Sequence, residues 1–151
     1  MAIPPDTQWG NQCSRVCLLL KDDTNSTSTS MILWTYVNSF IFSNIFTDEV
    51  PRRLIIGLLD HEAYIGHKNK SPFNFKPYDV RDIKIVANGR EYTATPFNLK
   101  YGKKLYALAY HHTLDNLGFA FTAESNGITY SMYKKGWNLY VFNLTNRYCH
   151  L

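Results

Sequence analysis

Residues 54–59 read Leu-Ile-Ile-Gly-Leu-Leu, an apolar run with no charge inside it, framed by Pro51-Arg52-Arg53 on one side and Asp60 on the other. A strand with one wet face alternates apolar and polar residues, whereas an unbroken run needs cover on both faces. Pro51 suits the start of such a strand, where a missing N–H breaks no ladder bond. Gly57, which brings no side chain to the run, points to a bulge or a close backbone approach. Whatever this chain folds into must place one layer above the strand and one below it.

At 151 residues and 17.5 kDa the chain is of a size for one domain with one core. A composition of 45% hydrophobic and 15% aromatic residues against 19% charged is too apolar for disorder and rich in strand formers. The net charge of +4 is mild and the Lys and Arg residues are scattered along the sequence, so no specific nucleic-acid partner is expected. Cys13, Cys17 and Cys149 make an odd and sparse set, which argues for a reduced, intracellular setting rather than a disulfide scaffold. The triplets beginning at Asn25 and Asn143 match a glycosylation signal but carry little weight, the second lying in an apolar run expected to be buried. The first residues lack the pattern of a secretory leader, and the apolar runs fall far short of the roughly 20 residues of a membrane span.

Residues 1–30 differ from the rest. They end in the polar run Lys-Asp-Asp-Thr-Asn-Ser-Thr-Ser-Thr-Ser and are expected to form a flexible segment, with a short strand at 16–20 as the alternative. From Met31 a β-branched and aromatic pattern with Trp34, Tyr36 and Phe40 predicts a strand. Asn88-Gly89 supplies the two positive-φ residues of a tight turn and predicts a hairpin of 83–87 with 90–94. Leu105, Leu108, Ala109 and His112 recur at helical spacing, predicting one amphipathic helix that ends by Gly118. A helical turn with Thr129 or Ser131 as N-cap and Gly136 at its end precedes a last strand containing Phe142. The stretch Ser-Pro-Phe-Asn-Phe-Lys-Pro-Tyr-Asp-Val at 71–80 holds Pro72 and Pro77 among three aromatic rings, and reads as a stiff loop whose rings turn inward. Five to six strands without βαβ alternation favour an antiparallel sandwich or jelly roll.

Reactive groups are few. His111, His112 and Asp115 sit close enough on the predicted helix to suggest a metal, but adjacent residues point about 100° apart and no third ligand motif accompanies them. Cys13, Cys17, Cys149 and His150 lack the spacing of a zinc knuckle. Asp60, His61, Glu62 and His67 read as a solvated turn, and Arg52-Arg53 as an edge feature or ion-pair partner. Neither a nucleophile elbow nor a phosphate-binding glycine loop is present. The expectation is a protein that is not an enzyme and takes no cofactor.

The ordered set "NIFTDEVPRRLIIGLLDHEAYIGHKNKSPFNFKPYDV", the Asn88-Gly89 hairpin, "YALAYHHTL" and "GITYSMYKKGWNLYVFNLT" resembles the double jelly-roll major capsid (hexon-like) protein of Polinton or Maverick elements and adintoviruses. The similarity spans about residues 31–145 and falls in that family's C-terminal jelly roll. Its motif positions here are Pro51, Arg52, Arg53, Gly57, Pro72, Phe73, Asn74, Phe75, Asn88, Gly89, Gly136 and Phe142. Ser71 stands where the family often has Asn, and Asn143 where it usually has Asp. The resemblance implies a mainly β jelly-roll domain at 31–151 with one short helix in a connection, lacking the family's N-terminal jelly roll and its last strands. It further implies a structural subunit of homotrimeric capsomers, with a penton-type protein as a further partner, found in the virion of an active element or inside the cell for an integrated, non-functional copy. A lectin-like jelly-roll binding module is the alternative, and a metal-dependent enzyme using His111, His112 and Asp115 the third reading.

Overall fold

The computed structural model describes the backbone of residues 15–22 and 29–34, and residues 52–87, 89–92 and 97–144. Four strands make one antiparallel sheet in the order β2-β1-β3-β6: β1 (Arg15–Asp22), β2 (Thr29–Trp34), β3 (Arg53–Asp60) and β6 (Leu139–Asn143). The apolar run is the inner strand β3, paired with β1 on one side and β6 on the other. The pleat sends Leu54, Ile56 and Leu58 to one face, where they join Tyr140 and Phe142 in the main core. Opposite pairs Leu54–Phe142 and Ile56–Tyr140 knit that face together. Leu59 projects to the other face and clusters with Phe75 and Leu139. Both sides of β3 are therefore covered, as its composition requires.

Between β3 and β6 the chain forms α1 (His61–Tyr64), a two-residue hairpin of β4 (Val86–Ala87) with β5 (Arg90–Glu91), a 3₁₀ turn (Tyr101–Lys103), α2 (Ala107–Leu117) and α3 (Tyr130–Lys135). The hairpin turns at Gly89 with φ +72°, and Tyr92 N–H donates to Ile85 C=O beyond its paired residues. Helix α2 stops at Gly118, and α3 is capped by Thr129, whose hydroxyl accepts from Met132 N–H at 3.3 Å. Helices α2 and α3 lie on the main-core side of the sheet and, with the 3₁₀ turn, bring a layer of tyrosines with them. Tyr106 stacks on Tyr130 at 4.3 Å and on Tyr101 at 5.2 Å, while Tyr110 meets the edges of Tyr130 and Tyr133.

The antiparallel sheet is as expected, but the domain is small and mixed, with three helices where one short helix and a helical turn before the last strand were anticipated. Of the two expectations for this segment the strand at 16–20 holds, not the flexible stretch: residues 15–22 form β1, the partner of both β2 and β3. The apolar stripe of α2 also differs. Leu105 and Leu108 are exposed, and the buried side is Ala109, Thr113 and Asn116, with Tyr106 just before the helix. Thr113 and Asn116 tolerate burial because each bonds a carbonyl one turn back, Thr113 to Ala109 and Asn116 to His112. The strand expected beyond Trp34, the start of β3 at Pro51, Asn88 and the far end of the hairpin lie outside the described residues.

The tyrosine layer couples stability to alkaline pH. Burial pushes the Tyr101 hydroxyl up to about 12, and burial likewise raises Tyr133 and Tyr140 well above the ordinary phenol value. In the unfolded chain these groups lose their protons near pH 10, so the folded state holds protons more tightly above that point and stability falls as pH rises. Tyr101 alone accounts for a loss of about 3 kcal/mol between pH 10 and about 12. Denaturant melts followed across this range should show the decline, with a shallower slope for Tyr101→Phe; a midpoint independent of pH would contradict a buried phenol layer.

Candidate functional site

The loop 71–80 is held at the junction of β3 and β6. Phe75 N–H donates to Gly136 C=O and Asn138 N–H donates back to Phe75 C=O, so Phe75 bridges Trp137 as a one-residue parallel strand. Lys76 N–H adds a bond to Leu58 C=O at 3.0 Å. The Phe75 ring then lies over Gly57, where a Cβ would come within 2.7 Å of the ring and 2.9 Å of Leu139. Gly57 is thus a close approach rather than a bulge. At the other side of the bridge Gly136, with φ +155°, leaves room for Asn74, whose amide oxygen would stand 2.7 Å from a Cβ there. Gly57, Asn74, Phe75 and Gly136, remote in sequence, form one clamp. Phe73 does not share in it: it is 74% exposed, whereas Phe75 turns inward and Tyr78 packs partly buried against the main core.

Past the clamp, Tyr78 and Asp79 both adopt left-handed φ (44° and 49°) in a turn closed by Val80 N–H to Pro77 C=O. Such backbone costs on the order of 1 kcal/mol per residue in non-glycine positions. The turn forms the wall of a wide groove of about 690 Å³ that continues into a smaller one of about 180 Å³, the two sharing Asp79, Tyr101 and Gly102. Lys134 reaches across and donates to Tyr101 C=O at 3.0 Å. Beneath, Asn138 is fully buried; its amide nitrogen donates to the Tyr101 hydroxyl at 2.9 Å, and that hydroxyl shares a 2.8 Å bond with Tyr140. The Asn138 amide oxygen has no partner among the described residues.

The remaining sequence candidates fall elsewhere. His112 is a packing residue, its ring 5.1 Å from Phe97 and 5.3 Å from Phe142, whereas exposed His111 faces Phe121. Among the described residues no three His, Cys, Asp or Glu side chains gather as a metal site. Asp60 caps α1 by accepting from Glu62 N–H, and Lys70 joins Asp60 and Glu62 in exposed ion pairs. Burial alone would raise the Asp60 carboxyl, but bonding to Lys70 and to backbone N–H groups brings it below its usual value. Arg52 and Arg53 are exposed at the start of β3, with Arg52 C=O accepting from Leu144 N–H. Cys13, Cys149 and His150 lie outside the described residues. Sequence reading missed both the Asn138 network and the groove; the only trace was the spacing Tyr106-Tyr110 and Tyr130-Tyr133, which places phenols on one side of each helix.

The fold and its clamp define a small domain of antiparallel sheet and helix built around a doubly covered strand. Over 105 residues, 68% of this chain, it is 36% identical to the uncharacterized protein F54H12.2 of Caenorhabditis elegans. The chain spans about a quarter of the length of that relative. Neither a model of a known protein family nor a solved structure matches the chain.

The clamp separates the two phenylalanines by experiment. Phe75→Ala should cost about 3–5 kcal/mol in denaturant unfolding, and Phe73→Ala less than about 0.5 kcal/mol. Gly57→Val should destabilise by about 1–3 kcal/mol through overpacking against Phe75. Combining it with Phe75→Ala should cost less than the sum of the single changes, because the ring that clashes is gone. Strict additivity in that cycle would refute the contact.

Proposed function

We propose that the chain is a structural, non-enzymatic protein: a part of a double jelly-roll major capsid protein of the Polinton and adintovirus type, working by self-association into trimeric capsomers. The observation that carries this reading is the convergence of the family-motif positions. Gly57, Asn74, Phe75 and Gly136 meet in the clamp, and Phe142 pairs with Leu54 across the sheet. A motif set that converges on a packing contact, rather than on reactive groups, suits a shell subunit whose task is to hold shape. In this reading the four-stranded antiparallel sheet is one wall of the jelly roll, and the clamp fixes the loop that leaves it. Trp137, itself in the bridge to Phe75, and Phe73, two residues before Phe75, are 48% and 74% exposed and supply aromatic surface of the kind enriched in subunit interfaces.

Light scattering tests the proposal. The chain should form trimers or larger assemblies, and Phe73→Ser with Trp137→Ser should return it to monomers with unchanged circular dichroism. A folded monomer at all concentrations would count against a shell subunit, and a monomer that binds sugars on a glycan array would favour the lectin-like module instead.

A further inference from the structure

Charge that is scattered along the sequence is gathered in the fold. The two adjoining cavities beside the 77–80 turn are lined by Lys76, Arg81, Lys100, Lys103, Lys134 and Lys135, against one acidic side chain, Asp79. This groove therefore carries a net charge of five positive, more than the +4 of the entire chain, and the remainder is slightly acidic. The cations come from three separate stretches of sequence, brought together by the strained Tyr78-Asp79 turn, the 3₁₀ turn and the end of α3. Lys134 is held by its bond to the Tyr101 carbonyl, while Lys76, Lys103 and Lys135 stand exposed along the rim.

We infer that this groove binds the phosphodiester backbone of nucleic acid without reading its sequence. The cations are spread through two linked cavities, an arrangement that suits an extended chain of charges better than a single small anion. Five of the six are lysines, which act on phosphates as point charges and impose no fixed geometry, as contact to a backbone without reading its sequence requires. Binding of this kind is driven by counterion release and weakens steeply with salt. The inference stands independently of the assembly reading above.

Fluorescence anisotropy of the full chain with labelled single-stranded and double-stranded oligonucleotides tests it. Both should bind at low salt, with log affinity falling linearly in log salt. The triple variant Lys76→Gln, Lys103→Gln, Lys135→Gln should lose at least tenfold in affinity at low salt and flatten the salt slope by roughly two to three units. A matched triple elsewhere, Arg52→Gln, Lys68→Gln, Lys84→Gln, should stay within about twofold of the parent, since it leaves the groove intact. Lysine acetylation of the unmutated protein gives a second readout, in which bound oligonucleotide should shield Lys76, Lys103 and Lys135 but not Lys68 or Lys84. No binding at low salt, equal losses in the two triple variants, shielding without preference for the groove, or tighter binding of a polyglutamate peptide than of either oligonucleotide would overturn it.

Discussion

The contact between the Phe75 ring and the bare backbone of Gly57 is the constraint on which the rest of the arrangement depends. An inner strand with apolar side chains on both faces is stable only if both faces are covered. One face receives the helices and their tyrosines; the other, at this end of β3, receives a single ring from a loop. That ring reaches the sheet because residue 57 has no side chain and because the Trp137 backbone holds residue 75 in register. The same tether that seats Phe75 also positions the following turn, so the groove wall is an extension of the packing clamp.

The core on the other face is unusual in how it treats polarity. Phenols, a threonine and an asparagine replace much of the aliphatic filling expected between sheet and helices, and apart from the Asn138 amide oxygen, which has no partner among the described residues, the polar atoms named here are bonded. Tyr133 and Thr113 both lie within about 3 Å of the Leu139 carbonyl. Tyr101, Tyr140 and Asn138 bond one another. Such a network is directional where aliphatic packing is not, and it fixes the helices to one rotation about their axes.

How much of this was legible in the sequence depended on whether the signal was local. The continuous run at 54–59, the hairpin turn at Gly89, the Thr129 cap and the stop at Gly118 act over a few residues and were readable. Strand β1 was readable only as the alternative at 16–20, because the polar residues after it suggest a loose segment and only pairing with β2 and β3 makes Arg15–Asp22 an inner strand. The face of α2 was misplaced because hydropathy counts Thr113 and Asn116 as surface residues, blind to the carbonyls that satisfy them. Phe73 and Phe75 are indistinguishable by composition, and only the bridge to Trp137 selects one of them. The groove was invisible for the same reason: its cations are brought together from stretches more than fifty residues apart at the extremes.

The bonds to the Leu139 carbonyl have a consequence for how such a domain fails. Among the described residues β6 ends the sheet order, and Tyr140, Val141 and Phe142 make it an apolar segment with strong strand preference. A strand of that kind, left at an open edge, would template the addition of foreign strands. Helix α2 packs against it, and Thr113 occupies a backbone acceptor at its start, so the helix is also a guard. Damage that loosens α2 without unfolding the sheet would uncover a sticky strand on an otherwise intact molecule, and misassembly would begin there.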